Sequence, residues 1–283
     1  MGMNRALIGK TYEPVVWDVT ADQIRAYAAA YNDDNPAFHD ANRPGGIVAP
    51  PLFHVVTAGP CAAMVFFDGD LDVNFGRLVH GEQDMPFLGP VRPGDAITSH
   101  TRIDDIVEKS TGELLVVGVE SENQEHRKVC SQKFIFFVRG EKKPDAGKKE
   151  AAPAPDRGAP FVERVSQVDL DQTPRYAEIS GDRNPIHLDD DFARSVGLPG
   201  RINHGLCTMA MASKVIVDGC LGGDPARLSR LRLRFSKPVL PGQKIVTRVW
   251  EVERDAAAAR FAFETTNEQG APVLTDGLAE ASR

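Results

Sequence analysis

A stretch of this chain occurs twice. Aligning Tyr27 with Tyr176 also pairs Asp33 with Asp182, Asn35 with Asn184 and Pro36 with Pro185, at one constant offset. Further on, PVRPGD from Pro90 to Asp95 echoes PVLPGQ from Pro238 to Gln243 at nearly the same offset. An internal repeat restricts the chain to two copies of one folding unit. At 283 residues there is room for two domains of ordinary size.

Each copy has the same order of parts. The capping box TADQ at Thr20 announces a helix running to about Tyr31, with Ile24, Tyr27 and Tyr31 on one face. After the shared turn comes a longer apolar helix, Leu52 to about Val65 in the first copy and Gly205 to about Val217 in the second. The second, LCTMAMASKVIV, is apolar nearly all round, the signature of a buried helix. Strand-like runs follow: RLVHGEQDMPF, AITSHTRIDDIV, ELLVVGVESEN and KVCSQKFIFFV, then RLSRLRLRFSKPV, KIVTRVWEVERD, ARFAFETTNE and PVLTDGLAEA. Joined by hairpins, these strands make an antiparallel sheet around the buried helix, and periodicity alone assigns the α+β class. Between the copies, RGEKKPDAGKKEAAPAPDRGAP lacks any apolar period and reads as an exposed linker. The expected division is 1–138, a linker over 139–160, and 161–283.

The second copy of the turn carries chemistry. Asp182 and His187 are five residues apart, which on a regular helix would set them about 140° apart. They converge only if the helix stops. Gly181 permits a positive φ, and Pro185 drives Asn184 towards an extended conformation, so GDRNPIH describes a helix that ends and folds back. In the first copy Phe38 fills the position of His187, and neighbouring His39 would point to the opposite side of an extended segment.

Charge and cysteine usage narrow the partners. A formal net charge of −7 argues against nucleic acid or an anionic membrane. No uninterrupted apolar run approaches a membrane span, and MGMNRALIGKTYEP lacks the apolar core of a signal peptide, so a cytoplasmic protein is expected. Cys61, Cys130, Cys207 and Cys220 are scattered without a CxxC pair, which suits buried thiols in a reducing compartment.

Tyr176, Ser180, Gly181, Asp182, Asn184, Pro185 and His187, followed by Gly200, Ile202, His204 and Gly205, resemble the hydratase 2 motif of MaoC-like (R)-specific enoyl-CoA hydratases and related 3-hydroxyacyl-thioester dehydratases. The first half resembles the N-terminal dehydratase-like domain of MaoC proteins, through its IGKTYEP opening and APP turn. The resemblance implies a double hotdog, two antiparallel sheets each wrapped around a buried central helix. It also implies that Asp182 and His187 are the catalytic dyad and that the degenerate first half, lacking both the His and the HG pair, houses the acyl chain.

Hydration of an enoyl thioester needs a placed water, a proton for Cα and stabilisation of negative charge on the thioester oxygen. Asp182 and His187 can hold the water between them. Gly205, at the start of the buried helix, offers an unpaired N–H backed by the helix dipole, and the resemblance points to the same amide. Asn184 is read as an orienting hydrogen-bond partner and His204 as positioning the turn. A metal on Asp182, His187 and His204 is the chemical rival, disfavoured because the family needs none and no second His pair accompanies them. Arg232, Arg234 and Lys237 lie on or beside one face of a strand and could bind the phosphates of coenzyme A, or form an ordinary solvent face.

The expected function is hydration of trans-2-enoyl-CoA to (R)-3-hydroxyacyl-CoA, or the reverse, with coenzyme A present only as part of the substrate and no further cofactor. The same chemistry on an acyl-carrier-protein (ACP) thioester is the nearest rival, and a non-catalytic acyl-thioester-binding subunit is a third reading. Thioesterase activity lacks a supporting motif. One chain already pairs two hotdogs, so a monomer or a homodimer is expected.

Overall fold

The computed structural model describes residues 2–140 and 157–282. The first half runs β1 (Val15–Asp18), α1 (Ala21–Ala30), α2 (Pro36–His39), α3 (His54–Ala63), β2 (Leu78–Pro86), β3 (Ala96–Lys109), β4 (Gly112–Glu122) and β5 (Lys128–Arg139). The second repeats it: β6 (Val162–Gln167), α4 (Gln172–Ser180), α5 (Asp190–Ser195), α6 (Gly205–Cys220), β7 (Leu228–Phe235), β8 (Lys244–Arg254), β9 (Ala258–Asn267) and β10 (Pro272–Ser282). Most of the expected linker lies outside the described residues.

Strand order carries the duplication into space. Among the described residues the strands form one antiparallel sheet in the order β1-β3-β4-β5-β2-β7-β10-β9-β8-β6. The second five positions mirror the first, so an approximate twofold axis passes between β2 and β7. Each half wraps its own central helix, α3 or α6, and the two halves fuse edge to edge. This is the double hotdog.

Eight of these strands fall on the runs read from sequence. β1 and β6, the short edge strands, do not. VVWD and VERVSQ are too brief and too exposed to show alternation, with β6 burying only Val162 fully. They form because the outer edges of β3 and β8 offer unpaired backbone, to which Val15–Asp18 and Val162–Gln167 add in antiparallel register.

The central helices differ in length for a visible reason. α6 runs 16 residues and buries Cys207, Met209, Ala210, Ala212, Ile216 and their neighbours, three residues further than the apolar run alone suggested. α3 holds Pro60, which lacks the N–H that would bond the carbonyl four residues back, and it gives way to a 3₁₀ turn at Met64 after 10 residues.

The seam between the halves is part polar and part apolar. Across β2 and β7, Arg230 makes a two-pronged ion pair with Asp84 at 2.8 and 2.7 Å, and Arg234 lies 3.3 Å from Glu82. The alternate residues Gln83, Met85, Leu231 and Leu233 face inward and are buried. Behind the sheet α1 packs on α4, with the Tyr27 and Tyr176 hydroxyls 3.4 Å apart. One apolar core spans both halves; a second lies wholly in the first half, and Leu206 of α6 touches both. No helix among the described residues is long and apolar enough to cross a membrane.

Candidate active site

The turn after α4 is built by local hydrogen bonds. Gly181 ends the helix at φ 74°, a left-handed conformation that costs glycine nothing. The Asp182 amide then donates to Ser180 Oγ (3.2 Å), and the Asn184 amide donates to Asp182 Oδ1 (3.1 Å). Asn184 spends its own Oδ1 on the Ile186 amide at 3.2 Å, capping the 3₁₀ turn Pro185–His187. One Asp182 carboxylate oxygen is thus pinned by backbone and the other is left to react. The Asn184 backbone amide thus holds the carboxylate while the side-chain Oδ1 caps the next turn.

Asp182 Oδ2 stands 3.8 Å from His187 Nε2. That is too long for a direct hydrogen bond and short enough for one water to touch both. His187 Nδ1 lies 2.8 Å from the Ile202 carbonyl oxygen, so Nδ1 carries the hydrogen and neutral His187 presents a bare Nε2 lone pair towards Asp182. Burial pushes the His187 pKa below its ordinary value, against the opposing pull of Asp182. At neutral pH the ring is a base, not an acid.

His204 packs flat on His187, with centroids 3.8 Å apart and planes 25° from parallel, and its far side meets Tyr176. Its Nε2 donates to the Asp182 carbonyl at 3.0 Å, tying the start of α6 to the turn. Burial, reinforced by the neighbouring His187, lowers its pKa to about 4. A charged His204 would repel a proton arriving on His187, so His204 must stay neutral for His187 to take one up.

Asp182, His187 and His204 offer donor atoms within 4.8 Å of one another. Their geometry suits a metal poorly: stacked rings send their in-plane lone pairs side by side rather than to a common point, and His204 Nε2 is already committed to a carbonyl. Two bases facing each other across a water-sized gap suit a water.

Gly205 is the first residue of α6, so its amide has no acceptor within the helix and sits at the positive end of a 16-residue dipole. A Cβ here would come within 3.1 Å of the Phe235 ring, so the glycine lets an aromatic wall approach the amide. Of the cations named from sequence, Arg234 is engaged by Glu82 and Asp276, while Arg232 and Lys237 are exposed and make no ion pair among the described residues. Phe235 and, beyond it, His80 of β2 were not singled out from sequence. A lone aromatic and a lone histidine on two strands more than 150 residues apart carry no local pattern, and only the β2–β7 pairing brings them together.

Residues 153–271 match the MaoC like domain, and residues 6–132 match the FAS1-like dehydratase domain region. A probable enoyl-CoA hydratase 2 of Dictyostelium discoideum is 26% identical across 97% of this chain and 95% of its own length. The 3-hydroxyacyl-thioester dehydratase Y of Mycobacterium tuberculosis is 30% identical, covering 73% of both chains. The crystal structure of a MaoC-like dehydratase from Phytophthora capsici matches with a TM-score of 0.83 at 26% identity, over 99% of this chain and 98% of that one. The match in sequence, over both halves, and in fold, over nearly the whole chain, has one reading: this chain belongs to the MaoC-like family of hydratases and dehydratases.

Proposed function

We propose that this chain is a hydro-lyase that adds water to trans-2-enoyl-CoA to give (R)-3-hydroxyacyl-CoA, or removes it in reverse. The observation that carries the reading is the 3.8 Å gap between Asp182 Oδ2 and a bare His187 Nε2. A water in that gap donates one hydrogen to each. As its oxygen bonds to Cβ, the C=C electrons pass through Cα to the thioester oxygen, which the Gly205 amide receives. His187 Nε2 takes the leaving water proton and, now an acid, delivers it to Cα as the carbonyl re-forms. Hydroxyl and hydrogen both come from the one water, so the step balances without any other reactant.

Coenzyme A as the carrier is supported by the likeness to a protein named an enoyl-CoA hydratase 2. Exposed Arg232 and Lys237 stand as candidates for its phosphates, and the (R) hand rests on the resemblance at the motif. One chain supplies every group used above. The test is loss of enoyl absorbance with crotonyl-CoA and a longer trans-2-enoyl-CoA, followed by chiral analysis of the product. Asp182→Asn and His187→Ala should each lower kcat about 10²–10⁴-fold with the fold retained. Turnover unchanged in either variant would remove the dyad from the mechanism.

A further inference from the structure

We infer that His80, contributed by the half that has no dyad, is a positioning residue for the hydration site: it holds the Phe235 ring against Gly205. The inference rests on Gly205 as the oxyanion donor. The ring centroids of His80 and Phe235 are 4.7 Å apart, and Cδ1 and Cε1 of the Phe235 ring lie 3.1 Å from where a Cβ of Gly205 would stand. The Phe235 ring therefore touches both His80 and the first residue of α6. Phe136 and Phe134 also pack on the His80 ring, with centroids 4.9 and 5.8 Å away, and restrict its movement.

Hydrogen bonds fix the ring as firmly as packing does. Gln132 Nε2 donates to the His54 carbonyl at 3.1 Å, which leaves its Oε1 to accept from Gln83 Nε2. Gln83 Oε1 is then free to accept from His80 Nε2 at 3.0 Å, and the Glu82 carbonyl oxygen lies 3.1 Å from the same nitrogen. The carbonyl at the far end sets the direction of every bond in this chain, so Nε2 carries the hydrogen and the ring has one orientation. Gln83 and Gln132 are both buried. The relay begins at His54, the first residue of α3, and ends against Gly205, the first residue of α6. It links the two helix starts across the seam.

The fold does not need a histidine here. The offset that aligns PVRPGD with PVLPGQ puts Leu228 at the equivalent position of the second copy, on β7, where it is buried. Burial keeps His80 neutral, with a pKa near 4, and the Asp182 carboxylate pulls the other way, which places His80 within the field of the dyad.

The oxyanion contact forms only as charge develops, so a displaced Phe235 should lower kcat and leave KM alone. The experiment compares kcat and KM for a trans-2-enoyl-CoA in wild type, His80→Leu, His80→Gln and Gln132→Met, with thermal unfolding as the check on folding. His80→Leu should lose about 10- to 100-fold in kcat, as a misplacement near 1 Å does, with KM within about twofold. His80→Gln, whose amide still donates towards Gln83 and Glu82, should recover most of that loss. Gln132→Met cuts the relay away from Phe235 and should lower kcat about three- to tenfold, the worth of one neutral hydrogen bond; it carries the test if His80→Leu does not fold. A rise in KM at constant kcat, or an unchanged kcat in folded His80→Leu, would overturn the role of His80. Inactive wild type, or full turnover in Asp182→Asn, would instead overturn the hydratase reading beneath it.

Discussion

The two copies of the repeated turn share a backbone and differ in what they leave unpaired. Asp33 and Asp182 each accept the amide two residues on, at 3.0 and 3.1 Å, and Asn35 and Asn184 each cap the following turn. Asn32 at φ 63° does what Gly181 does at φ 74°. Even the aspartate carbonyl is held alike, by His39 Nε2 at 2.8 Å in one copy and His204 Nε2 at 3.0 Å in the other. Yet Asp33 is buried and paired with Lys214 of α6 at 3.3 Å, whereas the Asp182 side chain is half exposed and among the described residues has no charged partner but His187, at 3.8 Å. Aligning Leu52 with Leu206 sets Pro51, which has no N–H, where Gly205 stands. Holding the turn takes a few local bonds. Keeping it reactive takes groups that the fold declines to satisfy.

Exchanging the sixth residue of the turn, Phe38 for His187, is the sharpest way to break that comparison. His187→Phe should abolish most turnover, about 10²–10⁴-fold in kcat, with little loss of stability, because the first copy already accommodates phenylalanine there. Phe38→His in the same chain should restore nothing: Asp33 remains tied to Lys214 and Pro51 still has no amide hydrogen. Hydration above background by the double variant would show that the first copy keeps more of a site than its geometry allows.

Lys214 tests the other side of the comparison. Its ammonium serves Asp33, Asp34 and Asp218 at 3.3, 2.7 and 3.1 Å, and burial raises the Asp33 pKa in spite of it. Lys214→Met leaves Asp33 buried without a cation and should cost about 3 kcal/mol in chemical denaturation, the low end for breaking a buried pair. Adding Asp33→Asn should recover most of this, since Asn keeps the bond from the Asn35 amide. No recovery would mean that the stabilisation runs through the more exposed Asp34 and Asp218.

How much of this was legible beforehand divides along the same line. The duplication, the capping box at Thr20, eight strands and the meeting of Asp182 with His187 are written in short-range patterns, and the structure realises them. Pairing across the seam was not legible: the Asp84–Arg230 and Glu82–Arg234 contacts, the Asp33–Lys214 clamp and the His80–Phe235 packing join residues from the two copies. Such pairs depend on the relative placement of the halves, which only the β2–β7 register and the α1–α4 contact determine. Asn184 shows the limit within a motif, because its residue type suits both a water and a cap: the 3.2 Å bond from the Ile186 amide puts Oδ1 in the cap, while Nδ2, with no hydrogen bond among the described residues, still has hydrogens to give a water.

Acid should weaken the two copies together, and here the comparison predicts likeness. His54 at the start of α3, His80 on β2 and His204 beside α6 are all held neutral by burial, each with a pKa of about 4 against an ordinary 6.5. In the unfolded chain these rings take up protons near 6.5; in the folded chain they do so only near 4. Their contribution to stability is therefore complete above pH 6.5 and is lost as pH falls towards 4, by up to about 1.4 kcal/mol per pH unit for each ring. Denaturant titrations at pH 7.5, 6 and 5 should show this decline, and His54→Gln should flatten it by one ring's share. Activity has its own acid limit, because a protonated His187 has no lone pair for the water, and that limit belongs to the second copy alone. A stability curve level from pH 7.5 to 5 would mean that these rings gain protons in the folded chain as easily as in the unfolded one, and the contrast between the copies would then reduce to the dyad and the Lys214 clamp.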